Sequence, residues 1–409
     1  MQVLKSERGC AKFIPGSDVW ESFCFSLSEE CRGVNHPLQI MEFPEQFTWG
    51  VAASAYQIEG AAFADGKGES VWDTFCRQPG KVLDGHSGEV ACDHYHRFRE
   101  DVGIIKDIGA RAYRFSISWP RVMPGGRGRV NEAGLGFYDR LVDALLEEGI
   151  EPWVTLFHWD YPEALMADCG WLNRDSADWF ADYAAVVVER LSDRVTRWMT
   201  LNEPQVFIGF GHVRGEHAPG FKLGTTEVLK ACHHVLLAHG KGVRAIREVA
   251  KRKPSVGWAV VAAVSVPENP ESPADVAAAR KAMVSCDCSG SADLGFGINV
   301  WSNTWWNDPV FRGAYPEQGV KLAGNDMPEM GPDDLSVIAQ PLDFLGLNIY
   351  SAAVVRAGAD GEPVTVPHPP SVPITGFKWP VVPSCLRWGP RILHERYGAP
   401  IAITENGLS

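Results

Sequence analysis

Ala112-Tyr-Arg-Phe-Ser-Ile-Ser118, then Tyr138, Leu141, Val142 and Leu145 ahead of Gly149, then Pro152-Trp-Val-Thr-Leu-Phe157: the fold class is read from this stretch. Its outer segments are short, continuous and apolar, as strands covered on both faces of a parallel sheet must be. The middle segment spaces its apolar residues three and four apart, which is one face of a helix. Strand, helix and strand in succession make a βα unit. The same rhythm runs through most of the chain. Thr48–Ser54, Thr196–Asn202, Val256–Ala263, Asp343–Asn348 and Pro400–Thr404 read as further strands. Phe98, Val102, Ile105 and Ile108 mark a helical stripe, as do Phe180, Tyr183, Val187 and Leu191 after a start near Asp175. Seven candidate strands point to an α/β fold, a (β/α)8 TIM barrel whose eighth βα unit is missing from this chain.

The rest of the sequence narrows the class. Residues 1–40 show no sustained period and are expected to be a poorly ordered arm, leaving 41–409 as a barrel domain that is incomplete at its C-terminal end. Residues 284–300 read as an inserted loop, and the Pro-rich stretch 356–383 as a long excursion over the barrel mouth. The 409 residues carry a net charge of −13, which argues against holding a nucleic-acid backbone or an anionic membrane. The longest apolar run, Trp258 to Val266, is too short to span a bilayer. The first twenty residues show no apolar core of a secretory signal. The ten cysteines form no CxxC pair, are too dilute for a disulfide scaffold and suit free thiols in the cytoplasm. Cys286 and Cys288 are the one close pair, and His94 and His96 point to different faces of a helix, so neither pair suggests a metal. Fifteen tryptophans are more than such a chain needs, and aromatic-walled ligand clefts are one use for them.

In parallel barrels, catalytic side chains stand where strands end and βα loops begin. The strand ends here carry Gln57, Arg114, His158 with Trp159, Asn202 with Glu203, Asn348, Tyr350 and Glu405 with Asn406. Taken singly, each is ambiguous: a lone Arg114 is more often a buried ion-pair partner, and a lone His158 a satisfied core histidine. Two glutamates at opposite sides of one mouth, each beside an asparagine, are more specific. Paired carboxylates facing each other across a sugar are what glycoside cleavage requires.

The segment Phe47-Thr-Trp-Gly-Val-Ala-Ala-Ser-Ala-Tyr-Gln-Ile-Glu-Gly-Ala61 resembles the N-terminal signature of glycoside hydrolase family 1, the β-glucosidase family. Thr200-Leu-Asn-Glu-Pro204 resembles its acid/base motif and Ile403-Thr-Glu-Asn-Gly407 its nucleophile motif. Ser70–Phe75, Ala91–Arg97, Tyr113–Arg121, Thr155–Asp160, His217–Gly220 and Asp308-Pro309 continue the likeness in order along 43–409. The resemblance implies a retaining β-glycosidase of terminal β-D-glucosides, and of β-galactosides as related substrates, with no cofactor and a small-molecule β-glycoside as its only implied partner. Glu405 would be the nucleophile and Glu203 the acid/base. Arg114 would favour the ionised form of Glu405 and Tyr350 would steady it. Asn202 would hold the sugar 2-hydroxyl, Gln57 and His158 other ring hydroxyls, and Trp379 would stack on the leaving-group side. Trp159 and Asn348 would support the site.

Two departures bear on this expectation. Family members continue past the nucleophile with an eighth strand and a Trp- and Glu-containing sugar motif, whereas this sequence ends at Ser409, which suggests either a fragment of a longer protein or a poorly active chain with an incomplete barrel. Lys378 stands where the family usually carries Gly. A non-catalytic glycan-binding relative is the competing reading, though such relatives usually lack one of the two glutamates. An unrelated barrel isomerase would need a phosphate-binding Gly loop, and none is found.

Overall fold

The computed structural model describes residues 43–287 and 299–408. The arm expected over 1–40 and most of the loop expected over 284–300 lie outside the described residues. The chain from Trp49 onward forms one unit. Residues 43–48 precede it and make a turn in which Phe47 N donates to Pro44 O, with the rings of Phe43 and Phe47 4.6 Å apart.

All seven expected strands are present in one parallel sheet. They are β1 (Gly50–Ala52), β2 (Ala112–Ser116), β3 (Glu151–Phe157), β4 (Arg197–Asn202), β5 (Ser255–Val261), β7 (Phe344–Asn348) and β10 (Ile401–Glu405), paired in that order. The end strands β1 and β10 touch, so the sheet curls into a nearly closed TIM barrel. Helices cover it, among them α1 (His94–Asp107), α2 (Glu132–Glu147) and α3 (Ser176–Leu191). The stripes read from the sequence face inward on α2 and α3. On α1, Phe98, Val102 and Ile105 are buried, but Ile108 is exposed. It caps the helix at its last turn, where the chain turns away through Gly109 at φ +77°.

Several elements have no counterpart in the sequence reading. Strand β6 (Ser265–Pro267) pairs parallel with β8 (Ala353–Ala357), which pairs antiparallel with β9 (Pro363–Val366), making a second small sheet. The stretch 356–383 is therefore not wholly irregular. Pro363 hides the strand pattern, yet as the first residue of β9 it is tolerated there. Helix α4 (Thr225–Val249) is 25 residues long and buried on every side from Ala231 to Gly240, so no apolar stripe stands out against a polar face. Helices α5 (Pro273–Val284), α6 (Asn303–Arg312) and α7 (Cys385–Tyr397) complete the coat.

Most of the tryptophan surplus goes into packing. Trp119, Trp198, Trp258, Trp305 and Trp306 are fully buried, each large enough to fill the space between sheet and helices. Trp49 is 55% exposed, and Trp72 and Trp153 are half-buried. The six cysteines among the described residues are free, and none of the described helices is long and apolar enough to cross a membrane. His94 and His96 bind different aspartates, Asp101 and Asp93, each at 2.6 Å.

Candidate active site

Strand alternation turns successive side chains to opposite faces. Two neighbouring residues can both face the barrel axis only where the alternation breaks, and it breaks at both glutamates. At the end of β4, Glu203 adopts a left-handed conformation (φ +46°, ψ +65°), uncommon for a residue with a side chain and costing about 1–2 kcal/mol. Its backbone N–H is pinned to Ala259 O at 2.7 Å, and Pro204 starts a short helix immediately after it. The turn brings Asn202 and Glu203 to the same mouth. On β10 the register against β7 slips between Ile403 and Glu405, a bulge that turns Thr404 and Glu405 inward together.

Arg114 of β2 sits at the centre. Its guanidinium donates to Glu405 Oε1 at 2.7 Å, to Thr404 O at 3.1 Å, to Asn202 Oδ1 at 2.6 Å and to Thr155 Oγ1 at 3.0 Å. The second oxygen of Glu405 accepts a short hydrogen bond from the Tyr350 hydroxyl. Asn348, at the end of β7, donates from Nδ2 to Glu203 Oε1 at 2.9 Å and to Asn202 Oδ1 at 3.0 Å. Asn202 Nδ2 meets His158 Nε2 at 3.1 Å, and Trp159 Nε1 donates to the Asn202 carbonyl at 2.9 Å. Trp159 is itself left-handed (φ +79°). Eight of the ten residues singled out in the sequence thus form one hydrogen-bonded cluster at the C-terminal ends of β2, β3, β4, β7 and β10. Trp379 joins through its ring, 5.4 Å from that of Tyr350, and is 42% exposed. Gln57, on the short helix Ala55–Ile58 after β1, is exposed and takes no part in the cluster's hydrogen bonds.

The two carboxyls sit in opposite electrostatic settings. Burial pushes Glu203 up to about 8, and the charge on Glu405 adds to that, while Asn348 and Arg114 only partly offset it. Burial works against ionisation of Glu405 as well, but the Arg114 guanidinium, His158 and the Tyr350 hydroxyl together hold it below the ordinary 4.5. Burial also pushes His158 down to about 4; Glu405 opposes this and Arg114 adds to it. The histidine is therefore neutral at pH 7, and the cation beside Glu405 is Arg114. At neutral pH one carboxyl carries a proton and the other a charge, the division of labour that acid–base chemistry across a short gap needs.

Two participants were not read from the sequence. Thr404 donates to Asn348 Oδ1 at 2.6 Å, and Thr155 accepts from Arg114. Their signal was present, since both lie inside quoted motifs, but alternation from Glu405 assigns Thr404 to the outer face. Beside Trp159, the rings of His217 (5.9 Å away), Trp72 and Phe210 extend an aromatic wall. Below the β3 end, Asp160 is fully buried and burial pushes it up to about 8, the Ser118 hydroxyl lowering it only in part. Among the described residues no cluster of three or more His, Cys, Asp or Glu is arranged to hold a metal ion.

Known proteins resemble the chain along most of its length. Residues 39–409 match the sequence model of Glycosyl hydrolase family 1. Beta-glucosidase A of Thermotoga maritima is 42% identical over 373 residues, covering 91% of this chain and 80% of the relative. The 1,4-beta-D-glucan glucohydrolase of Thermotoga neapolitana is 41% identical over 369 residues, 90% of this chain and 83% of its own. The solved structure of Thermotoga maritima beta-glucosidase in complex with glucoimidazole aligns with a TM-score of 0.77 at 42% identity, over 90% of this chain and 79% of that one.

Proposed function

Because the chain belongs to glycosyl hydrolase family 1, we propose that it hydrolyses terminal β-D-glucosides, with β-D-galactosides as related substrates, by a retaining double displacement. The observation that carries this reading is the pair of unlike carboxyls: Glu405 ionised against Arg114 and Tyr350, Glu203 protonated in a buried site that senses the Glu405 charge.

In the first step Glu405 attacks the anomeric carbon and Glu203 gives its proton to the departing glycosidic oxygen, so the aglycone leaves as a neutral alcohol and the sugar is held as a glycosyl ester. Esterification removes the negative charge that helped keep the proton on Glu203. The carboxyl then becomes more acidic and, now ionised, takes a proton from an incoming water. That water attacks the anomeric carbon, the ester bond breaks, and Glu405 is released as a carboxylate. Asn202 binds the sugar 2-hydroxyl, an interaction that tightens as charge develops at the anomeric carbon. Gln57 and the neutral His158 bind other ring hydroxyls. Trp379 stacks on the aglycone, which its exposure beside Tyr350 favours. Trp159 and Asn348 hold this set in place. The free thiols favour a reducing compartment, the cytoplasm, and the substrate is the only partner that the reading requires.

The test is hydrolysis of 4-nitrophenyl β-D-glucoside. Activity with first release of the β-anomer of glucose, seen by proton NMR, is the expected result. Glu405→Gly should abolish turnover, and added azide should return it as the α-glucosyl azide, since a small anion can occupy the vacated carboxylate position. An inert wild-type chain, release of the α-anomer, or full activity in Glu405→Gly overturns the reading.

A further inference from the structure

Glu203 has two oxygens, and only one of them can deliver a proton to a substrate. Oε1 lies against Asn348 Nδ2 at 2.9 Å, while no described residue is hydrogen-bonded to Oε2. Which oxygen bears the proton depends on which way the Asn348 amide faces, because an amide presents a donor at one end and an acceptor at the other. Its Nδ2 end contacts two acceptors at once, Glu203 Oε1 and Asn202 Oδ1. Its Oδ1 end meets the hydroxyl of Thr404 at 2.6 Å.

Thr404 is well fixed for this task. The bulge on β10 turns it inward beside Glu405, and it is 7% exposed. Its own carbonyl accepts from Arg114, so the residue is held from both sides. Its methyl lies over Gly346, where a side chain could not be accommodated: a Cβ built there would fall 2.9 Å from Thr404 Cγ2. The hydroxyl is left free to point at Asn348.

We propose that Thr404 is a positioning residue for the acid/base carboxyl: by donating to Asn348 Oδ1 it locks that amide with its NH2 toward Glu203 Oε1, and so places the transferable proton on Oε2. Oε1, already accepting a hydrogen bond, is a poor place for a proton. A flipped Asn348 would reverse the outcome, since its oxygen would face Oε1, draw the proton there and leave Oε2 unable to act as the acid. The relay runs from the nucleophile strand β10 through β7 to the acid on β4, and ties the orientation of one carboxyl to the strand that carries the other. This inference rests on the roles proposed above for Glu203 and Glu405.

Thr404→Val keeps the shape and removes the donor; Thr404→Ser restores the donor without the methyl. In Thr404→Val the Asn348 amide loses its anchor. The alkaline limb of kcat/KM against pH should move up by about one unit, because the hydrogen bond favouring ionised Glu203 is weakened. The value of kcat should fall about tenfold with KM within about twofold, a one-unit change being a factor of ten. Thr404→Ser should return both toward wild type. A Thr404→Val profile that superimposes on wild type overturns the proposal, as does failure of Thr404→Ser to restore the limb. If the wild-type chain is inert, the function reading fails and the titration of Glu203, followed by carbon-13 NMR of labelled glutamates in the same three chains, decides this one on the same criterion. If Thr404→Val does not fold, neutron diffraction from deuterated wild-type crystals decides: deuterium on Glu203 Oε2 supports the proposal, and deuterium on Oε1 or an Asn348 oxygen facing Glu203 overturns it.

Discussion

Replacing Arg114 by methionine is the most informative single change, because stability and chemistry should both respond with a recognisable dependence on pH. The guanidinium is buried and makes four hydrogen bonds, one of them a 2.7 Å ion pair with Glu405. Methionine fills much of the same volume but leaves the Glu405 carboxylate without its cation in a buried site. Removing one partner of a buried pair costs about 3–5 kcal/mol. The sign reverses with protonation state. In wild type the carboxyl of Glu405 is held below 4.5, so its contribution to stability is present above that value and is lost as pH falls through the lower folded value. In Arg114→Met burial is the dominant influence left, the carboxyl rises above 4.5, and stability is instead lost as pH rises through the new value. The gap between the two proteins should therefore be widest near pH 7 and narrow by about 1.4 kcal/mol for each unit by which the Glu405 equilibrium has been displaced, as pH approaches 4. Urea unfolding at pH 7, 6, 5 and 4 measures it. In parallel, the acid limb of kcat/KM should move up, and kcat/KM at pH 6 should drop by about 10²-fold or more, the usual consequence of losing a donor that stabilises charge in the transition state. A gap that stays constant between pH 7 and 4, or an acid limb that does not move, would refute the account of Arg114 as the cation that keeps Glu405 ionised.

Asp160→Asn removes a carboxyl that burial raises to about 8. A raised folded value means stability that is full below pH 4 and lost as pH rises through 8, so the variant should show a flatter stability curve between pH 4 and 8 and gain most on wild type near pH 8, read by unfolding midpoints across that range. Lys378 adopts φ +61° in the turn that closes from Thr375 to Trp379. Lys378→Gly relieves a left-handed lysine and should stabilise the protein by about 1 kcal/mol, less the added entropy of glycine in the unfolded chain; an unchanged or lower urea midpoint would show that the turn is unstrained.

Much of this protein is legible in its sequence. The seven barrel strands were recovered because each is a short apolar run; in the five inner strands this follows from burial, while β1 and β10 are partly exposed. Helices α2 and α3 were recovered because they have one wet face. What was missed had a mixed or hidden signature: α4 because it is buried all round, β9 because a proline opens it, and the exposure of Ile108 because periodicity does not say where a stripe stops. Gln57 came from a motif and lies outside the cluster's hydrogen bonds, since a motif names a residue without its partners.

The sequence by itself determined the class of fold, through the period and spacing of its apolar runs, and singled out two glutamates and the residues around them, through their places at strand ends and their resemblance to family motifs. Only the tertiary structure decided how the two carboxyls differ. They stand 202 positions apart in sequence, and their states depend on burial, on one guanidinium shared among four acceptors, and on an amide held by a threonine that strand alternation assigns to the wrong face. Those are distances across the barrel, set by a left-handed turn at Glu203 and a bulge before Glu405. Period and spacing along a single strand carry no information about them.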